Sequence, residues 1–449
     1  MAAAVIDRRD NARKMRVAVI GTGISGSLAA RLLASQHHVT VFEASPYGGG
    51  HANTVDVWID GRCYCLDTGF MVFNRRTYPN FCRLLEMLET PSQLSDMSFS
   101  VRCGKTGLEY QGSSLNGVLA QRSNCLRPSF LRMLRDIGRF NRLGTAAAES
   151  GELRDGRSVG QFLRQCGVGQ RFIDHYLVPM AAAIWSSKPR DILGFPAEFM
   201  LGFFANHGLM QIRDRPRWRT IVGGSRNYVD ALLAPLRGRI HFGCPVQSVL
   251  RTEDGVFVIP AIGPSLQFDQ VVFASHADQT LKMLADPTPR EQEILGAFPY
   301  QRNTAVLHLD ASLLPRRKRA WASWNYHIPA AGNSTAAVTY DLSRLQNHDS
   351  NVPILLTLNS TDAIDADKVL RTFDYAHPAY SAASINAQQR FQEISGHRRS
   401  HFCGAYWGYG FHEDGVNSAL AVARHFGIGL DACTAASTKA PSPIAVVSR

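Results

Sequence analysis

Three glycines in the run Gly21-Thr22-Gly23-Ile24-Ser25-Gly26 restrict this chain more than any other feature of it. They follow an apolar stretch at 17–20 and open an amphipathic one at about 24–34, so the order is strand, tight turn, helix. That order suits a dinucleotide. Gly21 makes the turn, Gly23 lets the N–H groups entering the helix at Ile24 and Ser25 approach a pyrophosphate, and Gly26 lets helix and strand pack closely. A second apolar strand at 39–42 completes a βαβ unit and delivers Glu43, followed by Ala44, to the place where a carboxylate accepts hydrogen bonds from an adenosine ribose. An isolated GxGxxG is weak evidence, since an ordinary glycine turn can have the same spacing; here strand, helix and acid stand in register. The acid disfavours a site for a ribose phosphate and leaves NAD and FAD both open.

With 449 residues, 45% hydrophobic and 19% charged, the chain can bury a large core and is too long for one compact layer, so two connected domains are expected. The formal charge of +11 suits an acidic partner, such as nucleic acid, an anionic membrane or a negatively charged substrate, and does not choose among them. No window approaches the roughly eighteen apolar residues of a membrane span; the best, 193–210, is broken by Glu198, Asn206 and His207. Residues 1–15 lack the apolar region of a secretory signal and read as a frayed tail, with Met15 an alternative start. The nine cysteines form no CxxC pair and no zinc spacing, only Cys63 and Cys65 one residue apart. They read as reduced thiols of a cytoplasmic protein, and no metal site is expected.

Strand patterns return at 240–242, 246–250, 256–259 and 268–274, with turn chemistry at Glu253-Asp254-Gly255 and a helix at about 228–236 opened by Gly223-Gly224-Ser225. Between lies a helical and loop-rich stretch, 84–215. A second excursion, 287–384, carries apolar strands at 305–309 and 354–358, before a last strand near Phe402 and a helix at 418–425. The pattern predicts an α/β fold in which a discontinuous Rossmann-like domain (15–83, 216–286 and 385–430) carries an inserted α+β substrate domain (84–215 and 287–384). Residues 1–14 and 431–449 are expected to be disordered tails.

After the ribose acid, Tyr47-Gly48-Gly49-Gly50-His51-Ala52-Asn53-Thr54 resembles the GG-Arg-x-x-Thr sequence of flavoproteins in the amine-oxidase superfamily, which includes monoamine oxidases, phytoene desaturases and protoporphyrinogen oxidases. The resemblance implies non-covalent FAD. It places Gly49, Gly50 and Thr54 along the diphosphate and ribityl chain, with His51 where the family has arginine. Asp67-Thr68-Gly69-Phe70 is similar to the family's Asp-x-Gly element near the flavin, and Val246 stands where relatives place a backbone contact to adenine. Phe402-Cys403-Gly404-Ala405, with His412-Glu413-Asp414-Gly415-Val416-Asn417, resembles the second flavin motif. By that likeness Gly404, Ala405, Asp414, Gly415 and Val416 join the site, with helix N–H groups facing the flavin C2 carbonyl.

Within the superfamily, the runs 53–74, 181–185 and 406–417 are most similar to bacterial FAD-binding oxidoreductases. Those are related to the N-terminal part of plant cyclopropane-fatty-acid synthases and to a methyl-branched fatty acid desaturase of furan fatty acid synthesis. That likeness implies an FAD-dependent oxidase or desaturase that moves hydride from an apolar substrate to flavin N5, desaturating or oxidising a lipid acyl chain. Two other readings stand beside it, an amine or polyamine oxidase and a non-catalytic FAD-bound partner of a lipid methyltransferase. Relatives that oxidise amines carry a lysine on a strand matching Asn303-Thr304-Ala305-Val306, and this segment has none.

His412 and His377 are the candidate acid/base groups, with His207 a third, because imidazole titrates near neutral pH; a structural histidine is the plainer reading of each. Trp321, Trp324 and Tyr326 are candidates to wall a pocket beside the flavin, though such aromatics are commonly core. A helix over 127–142 sets Phe130, Met133, Leu134, Ile137 and Phe140 on one side and Arg132, Arg135, Arg139 and Arg142 on the other. Such a helix suits either a solvated surface or peripheral attachment to an anionic inner membrane. Nothing else favours nucleic acid, and no such partner is expected.

Overall fold

The computed structural model describes residues 14–211, 213–330 and 337–435. The expectations for 1–13 and 436–449 lie outside these. Strand β1 (Arg16–Ile20), helix α1 (Ile24–Leu33) and strand β2 (His38–Phe42) form the opening βαβ unit. Its sheet is parallel throughout, in the order Ile240–His241, β2, β1, Gln270–Phe273, Ser400–Phe402. Val17 to Ile20 are buried without alternation, as a strand covered on both faces requires.

All ten residues of α1 are buried. One side packs on the sheet and another on the helix His412–His425, with Leu28, Leu32, Val416, Ala419 and Ala423 buried in one shared core. The approach of α1 to β1 depends on Gly26, where a Cβ would stand 2.0 Å from the Gly21 carbonyl oxygen. Gly21 itself holds φ at +102°, and its N–H donates to the Phe42 oxygen at 2.8 Å, tying the turn to the end of β2.

Beside this sheet, Val246–Thr252, Gly255–Pro260 and Leu266–Phe268 form an antiparallel meander. A seven-stranded sheet follows the order Val369–Pro378, Tyr300–His308, Leu355–Leu358, Val338–Asp341, Trp324–Ile328, Phe99–Cys103, Glu109–Gln111. Its pairs are antiparallel except Trp324–Ile328 with Phe99–Cys103. Its core continues into helices that include Pro128–Ser150, Val178–Trp185 and Ala197–Asn206.

Several expectations need correction. The stretch 84–215 also contributes strands: Ser92–Leu94 and Phe99–Cys103 have partners far away in the chain, and Glu109–Gln111 pairs back on Phe99–Cys103. The helix expected at 418–425 starts at His412, and a short helix, Ala432–Ala435, follows it. The C-terminal tail does not begin at 431: Cys433 is buried, and its carbonyl accepts a 2.8 Å hydrogen bond from the buried Arg31 guanidinium. The nine cysteines are all free thiols. Among the described residues no helix is long and apolar enough to cross a membrane.

Because backbone rather than a mobile side chain meets the added methyl, Gly26→Ala is expected to destabilise the protein by about 1–3 kcal/mol or more. Urea unfolding of the variant checks this, and wild-type stability would mean that α1 can slide off the turn at little cost.

Candidate cofactor and substrate site

The two glycine runs interlock at the N-terminus of α1. Gly49 N–H donates to the Thr22 oxygen at 3.1 Å, Gly23 and Gly49 pair as an isolated parallel bridge, and Gly50 (φ +58°) lies against Gly23. Helix α1 has no side-chain cap, so its first N–H groups remain available to an anion. Glu43 closes the loop: one oxygen accepts from the Thr22 N–H at 2.8 Å and from the Thr22 hydroxyl, and the other accepts from the Ser45 N–H at 2.8 Å.

From this cradle a cavity of about 710 Å³ runs to the seven-stranded sheet. It is lined by Gly21, Gly23, Ile24, Ser25, Glu43, Ala44, Gly49, Gly50, His51, Thr68, Gly69, Phe70, Val246, Gly404 and Ala405, and also by His377 and His412. Five expected site residues do not line it. Gly26 acts beneath the turn by allowing close packing. The Thr54 hydroxyl donates to Asp67 at 2.6 Å and accepts from the Arg226 N–H at 2.9 Å, which fixes the turn after Gly224 instead of reaching a ligand. Asp414 accepts from the Phe411 N–H at 2.9 Å, and burial raises its carboxyl to about 7. The Gly415 N–H is used inside the helix, donating to the Phe411 oxygen at 3.1 Å. A Cβ on Gly415 would stand 2.7 Å from Ile24, so this glycine serves helix packing. Val416 is fully buried core.

The histidines divide by environment. His412 is stacked on Phe70 at 3.4 Å and shares a 2.8 Å hydrogen bond with the Tyr228 hydroxyl, while burial lowers it to about 3. It is a neutral ring held on two sides, a poor shuttle for protons. His377 is lowered to about 4 by burial and then by His276, and its Nδ1 lies 2.8 Å from the Asn303 amide nitrogen. With the Asn303 carbonyl accepting from Asn359 at 2.7 Å, Asn303 donates to Nδ1 and leaves the His377 proton on Nε2. His207 lies outside the cavity lining, stacked on Phe203 at 3.9 Å. Of the three aromatics expected to wall the pocket, Trp324 does; Trp321 bonds instead to the Pro315 carbonyl, and Tyr326 is core.

Sequence reasoning missed His276, Tyr300, Tyr375, Tyr380, Tyr406 and Tyr409, which also line the cavity. His276 stacks on Tyr300 at 4.4 Å, and the His51 ring lies 5.1 Å from both Tyr375 and His377. Burial lowers His51 well below its ordinary value, so no fixed positive charge replaces the arginine of the GG-Arg-x-x-Thr pattern. Tyr375 was within reach of sequence reasoning, being two residues from His377 on one strand and therefore on the same face.

The description "flavin containing amine oxidoreductase" belongs to the family model that matches residues 24–310, more than half of the chain. This chain is a member of that family. It is an FAD-dependent oxidoreductase. Putrescine oxidase, solved with putrescine bound, is similar at 14% identity over 92% of this chain and 99% of that one, with a TM-score of 0.66. Cyclohexylamine oxidase from Brevibacterium oxydans IH-35A is similar at 15% identity over 92% and 100% of the chains, with a TM-score of 0.64. A CLA-producing fatty acid isomerase from P. acnes is similar at 15% identity over 92% and 99%, also with a TM-score of 0.64. At these identities the likeness is one of fold. No curated protein matches the sequence.

The residues present fit FAD. The uncapped end of α1 and the glycine cradle suit a diphosphate, Glu43 beside them offers a carboxylate that would accept from a ribose, and the open space at Gly23, where a Cβ would meet nothing within 4 Å, leaves room for phosphates. Gly23→Ala is therefore expected to leave apoprotein stability within about 0.5 kcal/mol of wild type while weakening FAD retention. Urea unfolding of the apoprotein and FAD titration by flavin fluorescence check the two halves. Unchanged FAD affinity would place the phosphates elsewhere.

Proposed function

We propose that this flavoprotein dehydrogenates an apolar substrate, specifically a lipid acyl chain. The observation that supports this reading is the distribution of charge along the cavity. Among the described residues that line it, Glu43 carries the one carboxylate, and it stands at the dinucleotide end, holding Thr22 and Ser45. The far end is walled by Trp185, Trp324, Leu356, Leu358, Tyr380 and Tyr409. A cationic amine would enter that end without a counter-ion, at a desolvation cost of several kcal/mol. A hydrocarbon chain would gain about 25 cal/mol for each Å² it buries there.

FAD, when bound, accepts a hydride equivalent. The chain's own residues hold the substrate, exclude water and receive the accompanying proton. His276 fits that last task better than His51: both rings line the cavity, but burial lowers His51 well below its ordinary value, which makes it the poorer base. Loss of hydride and proton from adjacent carbons leaves a C=C bond, so the product is lighter than the substrate by two hydrogens.

Anaerobic mixing tests this reading. The FAD-loaded protein should be bleached by a methyl-branched or unbranched acyl lipid, with a product two hydrogens lighter by mass spectrometry, and should remain oxidised with putrescine or cyclohexylamine. Bleaching by the amines alone would support amine oxidation instead. No bleaching by either class would favour the non-catalytic partner of a lipid methyltransferase.

A further inference from the structure

We propose that the exposed surface formed by residues 115–131 and the outward side of the helix Pro128–Ser150 docks on an anionic lipid surface. Leu126 and Leu115 are the two most exposed large apolar side chains among the described residues, at 87% and 83%, and Leu131 is 48% exposed. They do not lie at random on the molecule. The Arg122 guanidinium donates to Asn116 at 3.1 Å, tying the turn that carries Leu126 to the one that carries Leu115, and Leu126 stands just before the helix that carries Leu131.

Over residues 111–142 the exposed charge of this surface has one sign; the acid Glu149 stands at the far end of the helix. Arg122, Arg127, Arg132, Arg135, Arg139 and Arg142 are all exposed. The one acid between residues 111 and 142 is Asp136, which is buried and accepts the Gly169 N–H at 3.0 Å. The helix cannot roll to hide its arginines, because Phe130, Met133 and Phe140 are buried in the core on the opposite side, and a Cβ on Gly144 would already stand 2.7 Å from the Met210 sulfur.

Leucines projecting singly among arginines match the chemistry of a lipid surface. The arginines attract anionic headgroups, and the leucines enter the acyl boundary. A protein partner would be expected to meet a close-packed aromatic or aliphatic centre. A single-stranded nucleic acid would be expected to meet stacking aromatics, and none is exposed in residues 111–142. The proposal stands on these side chains and does not depend on the identity of the substrate.

Co-sedimentation of the FAD-loaded protein with vesicles of phosphatidylcholine, with and without phosphatidylglycerol, is the test. The wild type should bind the phosphatidylglycerol vesicles at low salt and be released by about 0.5 M salt. Replacing Arg132, Arg135, Arg139 and Arg142 together by Gln should weaken binding on the order of a hundredfold. The pair Leu115→Ser and Leu126→Ser should weaken it roughly tenfold. Both variants should keep their FAD and their melting temperature, since neither set of side chains is buried. Failure of the wild type to bind, equal binding by the arginine variant, or binding that the leucine pair leaves unchanged would each overturn the proposal.

Discussion

The contact between Gly26 and the Gly21 carbonyl is the constraint on which the site depends. With 2.0 Å between that oxygen and the place a Cβ would occupy, only glycine lets α1 lie this close to the end of β1. The closeness has two consequences. It directs the uncapped N-terminus of α1 into the cavity, and it leaves the opposite side of α1 free to pack on the helix His412–His425, where Gly415 makes a matching close approach to Ile24 and Ser25. Two glycines 389 positions apart thus fix one helix from two sides.

A buried carboxylate joins this unit to the seven-stranded sheet. Asp67 accepts from the Thr54 hydroxyl at 2.6 Å, the Ser225 N–H at 2.8 Å and the Gln346 amide at 3.1 Å, collecting three segments that are remote in sequence. Burial raises it to about 6 against the pull of these donors. Close by, the Tyr375 hydroxyl lies 2.7 Å from that of Thr68 and 3.1 Å from the Asn53 amide. The substrate end of the cavity is therefore positioned relative to the glycine cradle by hydrogen bonds rather than by packing alone.

The dinucleotide half of the site was legible in the sequence because its determinants are local. A strand, a glycine turn, a helix and an acid within about thirty residues specify their own geometry. The expected family and cofactor rest on the same run together with Gly49 and Gly50. The helix His412–His425 was read six residues late because Gly415 and Asn417 are poor helix formers, and only the tertiary contact with α1 shows why glycine is needed inside the first turns. Phe99–Cys103 was missed: it alternates apolar and polar residues as a strand does, but over only five positions, and its partner Trp324–Ile328 lies more than 200 residues away. The grouping of His51 and His276 with the strand that carries Tyr375 and His377 had no sequence signal, since it is made by three segments that meet only in the fold.

An apolar end to the cavity, beside a flavin held by the glycine cradle, is the central claim. Difference spectra of the bound flavin during anaerobic titration test it directly, because a ligand that settles against the aromatic wall perturbs the flavin absorption whether or not it reacts. Saturated acyl ligands should perturb the spectrum saturably, with affinity rising with chain length, while diamines of similar length leave it unchanged. Saturable perturbation by the diamines with no response to acyl chains would contradict the claim.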